Sequence, residues 1–137
     1  MNGIAVGVPW TRGLIGVSVQ EASTYGPVNG GGVARWAGQL PSGAEIVLGG
    51  HDHVYERFGS QDAQGQPDPE RGLRQFTVGI GDGSLYGFGA PLPNSEVRES
   101  ATFGVFVLTL YANRYEWEFV PAEGASFTDR GEGVCHP

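Results

Sequence analysis

Two of the three histidines in the 137-residue chain lie two positions apart, at His51 and His53, and the third is His136. The pair follows a short apolar segment that ends in Gly49 and Gly50. Neutral imidazole is the commonest metal-ligating side chain and binds zinc, iron, manganese and nickel. The glycines would let the backbone come close to a bound ion. A His-x-His pair by itself fits a metal site and a surface turn about equally well.

The longer run of residues around the pair favours a metal site over a surface turn. Residues 49–57 read Gly-Gly-His-Asp-His-Val-Tyr-Glu-Arg. This run resembles the G-H-x-H-x-Y-E-R motif of the calcineurin-like metallophosphoesterases, in the branch that includes the purple acid phosphatases. The resemblance continues in an F-x-V-G-x-G strand at 76–81, a G-V-x-x-L strand at 104–108, an aromatic strand at 115–120 and a tail at 127–131. It covers most of the chain, from about Ile4 to His136.

The resemblance implies hydrolysis of a small phosphate ester with two metal ions, which lower the pKa of a bound water and hold the phosphoryl oxygens. It implies that His51 and His53 ligate one or two divalent or trivalent transition-metal ions, namely zinc, manganese, iron or nickel. We therefore expect His51, Asp52 and His53 to be the catalytic residues. Asp52 occupies a variable position of the motif, for which a solvent-facing side chain is the simpler interpretation.

The rest of the motif is expected to support the histidines. Tyr55, Glu56 and Arg57 would fix the orientation of the loop and its imidazoles. Zinc takes three or four protein ligands, so two histidines need further ones. The candidates for a further ligand or an outer supporting group are Asp52, Tyr55, Glu56, Arg57 and His136, with Cys135, Asp82 and Glu21 as more distant ones. The family layout also implies that Arg12, Tyr25 and Asn29 bind substrate, with Arg12 meeting a phosphate oxygen.

The chain also departs from the family pattern. The D-x-H, G-D-x-x-[DY] and G-N-H motifs, which supply the family's other ligands and its catalytic histidine, do not occur, and Gly7 stands where another ligand histidine belongs. We therefore expect one truncated domain, 1–137, equivalent to the C-terminal half of the family's domain. Its unpaired sheet edge and uncovered apolar face predict a homodimer or higher oligomer, in which a second copy could supply ligands. The alternative is an inactive fragment that acts as a binding or interaction module.

Composition and charge exclude several classes of protein. All eight basic residues are arginine, and the net charge is -7. An acidic chain is a poor ligand for a nucleic-acid backbone, so no nucleic acid is expected as a partner. Cys135 is the single cysteine, which rules out an intrachain disulfide. Neither a signal peptide nor an apolar run of about 20 residues is visible, so we expect a cytoplasmic protein that does not contact membranes.

The pattern of apolar residues predicts an α+β, β-rich fold, namely half of an αββα sandwich with one main helix at about 32–40. In that segment Val33, Trp36, Ala37 and Leu40 fall on one helical face. Strands are predicted at 3–8, 15–19, 45–48 and 75–80, and a hairpin at 105–111 and 115–120 that turns at Ala112 and Asn113, with Asn suited to positive φ. Sites in α/β proteins lie beyond the carboxyl ends of strands, so the histidine pair is expected directly after strand 45–48.

Overall fold

The computed structural model of the protein describes residues 4–7, 16–20, 44–50, 52–81, 83–85 and 87–136. About half of these residues lie in strands. The strands are β1 (Ile4–Gly7), β2 (Gly16–Gln20), β3 (Ala44–Gly49), β4 (Tyr55–Phe58), β5 (Arg74–Val78), β6 (Ser95–Glu99), β7 (Gly104–Leu110), β8 (Arg114–Pro121) and β9 (Arg130–Val134).

The predicted α+β fold with a main helix is wrong, because the described residues form two β-sheets and contain no helix. The predicted helix at about 32–40 lies outside the described residues. From Ala44 onward the apolar residues recur with a period of two between turns, which is the period of strands and not of helices.

One sheet of the described structure has five strands in the order β2-β3-β5-β4-β6. β2, β3 and β5 run parallel, whereas β4 is antiparallel to both of its neighbours, β5 and β6. The chain therefore leaves β3, crosses over the end of β5, and returns along β4. Residues 50 and 52–54, the described residues of this crossing, are called the arch below.

The other sheet has four strands in the order β1-β7-β8-β9. β7 and β8 form the predicted hairpin, in which the backbone N–H of Tyr111 donates to the carbonyl of Arg114 across the turn. Phe106 lies opposite Phe119, and Leu108 lies opposite Trp117. These four side chains are buried, so this face of the hairpin packs into the core.

The main core lies between the two sheets. The Phe76 ring of β5 is 4.8 Å from the Phe106 ring of β7 and 5.4 Å from the Trp117 ring of β8, measured between centroids. Ile46 and Leu48 of β3 belong to the same buried cluster. Burying each such side chain contributes roughly 1.5–3 kcal/mol, so the strands that carry the arch are anchored against a second sheet.

The outward faces of the two sheets differ. In the five-stranded sheet, Val47, Gln75 and Thr77 alternate with core residues and are also buried. In the four-stranded sheet, Val105 and Val120 alternate with core residues but are 42% and 41% exposed. The sheet that carries the arch is thus buried on both faces, and the hairpin sheet shows apolar side chains to solvent.

Candidate metal centre

The arch spans the carboxyl edge of the five-stranded sheet. β3 and β5 end side by side there, with Gly49 in register with Thr77. Because β3 and β4 flank β5 from either side, the arch crosses two strand spacings, roughly 10 Å. His53 and Asp52 therefore lie where the sequence predicted, directly beyond the carboxyl end of β3.

The chain that leaves β5 passes tightly against the arch. A Cβ atom on Gly79 would lie 2.0 Å from the carbonyl oxygen of Asp52, so only glycine fits there. The Gly79 N–H donates to the Val54 carbonyl at 3.0 Å, and the Val54 N–H donates to the Asp52 carbonyl at 2.8 Å. These contacts fix the backbone on both sides of His53.

The imidazole of His53 has a defined hydrogen-bond partner. Its Nδ1 lies 2.9 Å from the backbone carbonyl oxygen of Ser84. A carbonyl oxygen can only accept, so Nδ1 carries the proton of the neutral ring and Nε2 carries the lone pair. Metal-binding histidines are oriented by this kind of bond from the other ring nitrogen to a carbonyl or carboxylate.

A glycine turn brings the Ser84 carbonyl to the ring. Gly83 has φ +86°, a conformation that side chains rarely adopt. A Cβ atom at Gly83 would also lie 3.1 Å from Cε1 of His53. Glycine at this position therefore permits the turn and leaves room for the imidazole.

Asp52 does not face solvent, so the solvent-facing interpretation is wrong. The residue is only 5% exposed, because the outgoing chain of β5 covers the backbone of the arch at this point. A buried carboxylate next to a histidine pair is a donor of the type that zinc, iron and manganese bind.

Several predicted site residues lie outside the described residues. They are His51, Arg12, Tyr25, Asn29, Asp82 and Glu21, and their predicted roles stay predictions. Among the residues that the structure does describe, no group of three or more His, Cys, Asp or Glu side chains could hold a metal ion. A complete ligand set around His53 would therefore include residues beyond them.

Tyr55 and Arg57 connect β4 to the segment that follows β8. The Tyr55 hydroxyl is buried and donates to Oδ2 of Asp129 at 2.7 Å. Arg57 Nε donates to the same oxygen at 2.7 Å, and its guanidinium lies 5.3 Å from the centre of the Trp117 ring. We call Tyr55, Arg57 and Asp129 the Asp129 cluster. These contacts join β4 to the segment that follows β8, and the expected role of Tyr55 and Arg57 in orienting the loop and its imidazoles stays a prediction.

The Asp129 cluster shifts the titration of its members. Burial and the bond to Asp129 raise the pKa of the Tyr55 hydroxyl well above its usual value of 10.0. Burial alone would raise the pKa of Asp129, but hydrogen bonds from Arg57 and Tyr55 outweigh it and hold that pKa below its usual value of 3.8. Asp129 is therefore a carboxylate and Tyr55 a phenol at neutral pH, as their hydrogen bonds require.

Glu56 is fully buried and lies opposite Arg98 of β6. Its Oε1 accepts from the Ser95 hydroxyl at 2.5 Å and lies 3.3 Å from Nε of Arg98. Arg98 is a residue that sequence reasoning missed. Only the pairing of β4 with β6 reveals it, because Glu56 and Arg98 are 42 positions apart in the sequence.

His136 is not brought near His53. Its Nδ1 lies 3.1 Å from Oε2 of Glu45, and its backbone N–H donates to Oε1 of the same side chain at 2.9 Å. Glu45 is the second residue of β3, so His136 lies beside the amino end of the strand. The five residue steps from Glu45 to Gly50 span roughly 16 Å, which separates His136 from the arch.

Cys135 also lies on the far side of the molecule from the arch. Its backbone N–H donates to the carbonyl of Asn113 at the hairpin turn, at 2.9 Å. Burial raises the pKa of its thiol, which lowers the fraction of thiolate available to bind a metal.

Comparison with known protein families, curated proteins and solved structures finds no match to this chain. The described residues include no helix that is long and apolar enough to cross a membrane.

Proposed function

We propose that this chain is a metal-dependent phosphoester hydrolase, a phosphatase or phosphodiesterase, whose metal is bound by His51 and His53 at the arch. The contact between His53 Nδ1 and the Ser84 carbonyl, 2.9 Å long, carries the proposal. It places the lone pair of the neutral ring on Nε2, the atom that would ligate the metal. A surface turn needs no such orientation of the ring.

The donor set fits a transition metal. Imidazole nitrogens with the buried carboxylate of Asp52 suit zinc, manganese, iron or nickel. When bound, such an ion lowers the pKa of a water and offsets the charge of phosphoryl oxygens. Positive charge is needed at this site, because the chain carries a net charge of -7 and would otherwise repel a phosphate ester.

The chain's own residues hold the imidazoles and receive the ester. The close contact of Gly79 with the Asp52 carbonyl and the bonds of Val54 fix the arch. In this proposal Arg12 binds a phosphate oxygen, and Tyr25 and Asn29 contact the rest of a small substrate. A hydrogen-bonded site of this kind gains rate by keeping its ligands in place before substrate arrives.

We further propose that the active form is a homodimer or higher oligomer. Val105 and Val120 present apolar surface on the hairpin sheet, and β9 is an edge strand of that sheet. Apolar faces and open strand edges are surfaces on which chains associate. A second copy could supply the ligands that His51 and His53 do not provide. We place this enzyme in the cytoplasm.

A binding or interaction module is the second candidate. The observation that favours it is the exposed apolar surface, in which Phe103 is 42% and Val134 is 77% exposed. Such a module would use the hairpin sheet to bind a partner and would keep the arch only as a turn between β3 and β4.

Hydrolysis assays on matched histidine variants separate the two candidates. The protein is stripped with a chelator, reloaded with manganese, zinc, iron or nickel, and assayed on a chromogenic phosphomonoester and phosphodiester. We expect the His51→Ala/His53→Ala double variant to lose turnover by more than about 100-fold, since even outer partners of metal ligands contribute about 10- to 100-fold. His136→Ala is the matched control and should keep full turnover. Equal turnover in the double variant would contradict the assignment of the metal to His51 and His53. No turnover in the wild type with any of the metals would contradict the hydrolase and favour the module.

A further inference from the structure

We propose that Arg98 is a positioning residue for His53. It holds in place the loop that carries the Ser84 carbonyl, and so it keeps His53 in the tautomer with its lone pair on Nε2. The described parts of this loop are 83–85 and 87–89, called the Ser84 segment here. The consequence for metal binding rests on the proposed function, whereas the consequence for the tautomer does not.

Arg98 is itself fixed in position by Glu56. The two residues are directly opposite on β6 and β4, and Nε of Arg98 lies 3.3 Å from Oε1 of Glu56. The Glu56 side chain is fully buried. A buried carboxylate that loses its cationic partner is strongly destabilised, so the guanidinium is held at this place on the sheet.

From this position Arg98 reaches the Ser84 segment through two contacts. The guanidinium carbon lies 3.9 Å from the centre of the Phe88 ring. Nη2 donates to the carbonyl of Gly89 at 3.0 Å. A planar guanidinium can stack on a ring and donate at its edge at once, whereas a lysine ammonium is a single point charge.

The glycines on either side of Phe88 border open space on the side where a side chain would lie. A Cβ atom on Gly87 or Gly89 would meet no atom within 4 Å. Leu85 packs against the main core and holds the segment on the other side. Among the described contacts of this loop, Leu85 is an apolar anchor and Arg98 is a polar anchor.

If the polar anchor is lost, the Ser84 carbonyl no longer holds a fixed position beside the ring. Both neutral tautomers of His53 are then populated, and only one of them has its lone pair on Nε2. Loss of an outer partner of a metal-binding histidine typically lowers metal affinity about 10- to 100-fold. Arg98 would therefore act on the metal without touching it.

The experiment records ¹⁵N chemical shifts of the His53 ring in metal-free protein at pH 8, well above the pKa of about 6.5 of free imidazole. The variants are Arg98→Met and Phe88→Leu. Phe88→Leu keeps the ion pair with Glu56, so it tests the inference even if Arg98→Met does not fold. Tyr111→Leu is the control, because it removes a similar stack on Arg114, 3.7 Å from the Tyr111 ring centre, at the hairpin turn.

We expect the wild type and Tyr111→Leu to show a ring protonated at Nδ1, and Phe88→Leu and Arg98→Met to show a mixture of tautomers. A zinc titration of the same samples should show affinity lower by about 10- to 100-fold in these two variants. An unchanged Nδ1–H tautomer in folded Phe88→Leu would overturn the inference. If the tautomer shifts as expected but the wild type binds no zinc, the proposed function fails and the positioning role of Arg98 stands.

Discussion

β3 has a histidine beside each of its ends, and the two histidines are held in different ways. Beyond the carboxyl end, the Nδ1 of His53 meets a backbone carbonyl of Ser84. Beside the amino end, the Nδ1 of His136 meets the carboxylate of Glu45. A carbonyl sets the tautomer of a neutral ring without adding charge, whereas a carboxylate also forms an ion pair with a protonated ring. Both kinds of partner can orient a metal-binding histidine, so the two ends of β3 differ in the charge beside the ring and in the contacts around it.

The two histidines also differ in how many contacts hold the chain around them. His53 lies on an arch whose backbone is fixed by Gly79 and Val54. His136 makes its contacts to Glu45 through its own backbone and ring alone. Sites that bind ions or substrates need side chains held to within about 0.5 Å by a supporting layer of contacts, and among the described residues the arch is where such a layer surrounds a histidine.

We expect the largest loss of stability from a substitution in the Asp129 cluster, whose Tyr55 directly follows the arch. Asp129→Ala leaves the buried Tyr55 hydroxyl and the Arg57 guanidinium without their shared acceptor. We expect a loss of about 3–5 kcal/mol in the free energy of unfolding, measured by urea denaturation. Glu132→Ala on the exposed side of β9 is the control and should change it by less than about 0.5 kcal/mol. Equal losses of unfolding free energy from the two substitutions would show that the Asp129 cluster does not stabilise the fold.

The second effect tests the close packing of the arch. Gly79→Ala places a Cβ atom 2.0 Å from the Asp52 carbonyl, whereas Gly87→Ala places one in open space. Overpacking of this kind costs about 1–3 kcal/mol, so Gly79→Ala should lower the midpoint of urea unfolding while Gly87→Ala leaves it nearly unchanged. A tolerated Gly79→Ala would show that the arch does not need its tight contact.

The third effect is a dependence on pH. The pKa of Asp129 is held below its usual value of 3.8 in the folded protein. The carboxylate therefore stabilises the fold fully above that value, and this stabilisation is lost as the pH falls through the folded pKa. Asp129→Asn should cost about 2 kcal/mol at pH 7, as expected for hydrogen bonds to a charged group. The difference between the two proteins should shrink in urea titrations carried from pH 7 to below pH 4, and a constant difference would contradict the assignment.

A smaller loss of stability is expected from a substitution in the turn beside His53. Gly83→Ala places an alanine at φ +86° and its Cβ atom 3.1 Å from Cε1 of His53. The backbone strain alone costs about 1 kcal/mol. We expect a modest loss of stability but a marked loss of zinc affinity, because the ring must move. A loss of stability with unchanged affinity would show that the turn does not position the imidazole.

The smallest effect belongs to the amino end of β3. His136→Ala removes one contact to Glu45 but leaves the backbone N–H of residue 136 as a donor. The His136 side chain is 21% exposed and Glu45 is buried, and the loss of one such hydrogen-bonded contact costs about 0.5–1.5 kcal/mol. Thermal unfolding should shift by no more than a few degrees, and zinc affinity should not change. A loss of zinc affinity in this variant would show that the amino end of β3 takes part in metal binding.

The parts of the fold that the sequence predicted are those with a clear period of two. Phe106 and Leu108 alternate with less buried residues, and their hairpin with Trp117 and Phe119 is confirmed. The turn lies at Ala112 and Asn113, but Asn94 is the non-glycine residue with positive φ among the described residues. The hairpin turn therefore did not need the conformational freedom that the sequence argument gave to Asn113.

Three strands, β4, β6 and β9, were not predicted, and in the first two the reason is that charged residues occupy them. β4 contains Glu56 and Arg57, and β6 contains Glu96 and Arg98, so neither resembles a buried strand when it is read alone. These charges are compensated by partners from distant parts of the chain, as in the bond from Arg57 to Asp129 across 72 positions. Such pairings depend on the tertiary fold, and no local pattern marks them.

One part of the candidate site was predicted from the sequence and another part was not. The position of His53 beyond β3 follows from the order of apolar and polar residues, and it is confirmed. The partner of its ring is the backbone carbonyl of Ser84, which no side-chain pattern reveals. The separation of His136 from His53 likewise depends on which end of β3 the last residues reach.

We propose that the carboxyl end of β3, and not its amino end, binds the metal. A crystal structure of the zinc-loaded protein with anomalous scattering at the zinc edge tests it most directly. We predict a zinc peak about 2.0–2.1 Å from Nε2 of His53, with His51 as a further ligand and with no peak between His136 and Glu45. A zinc ion bound by His136 and Glu45 with none at the arch would contradict the account.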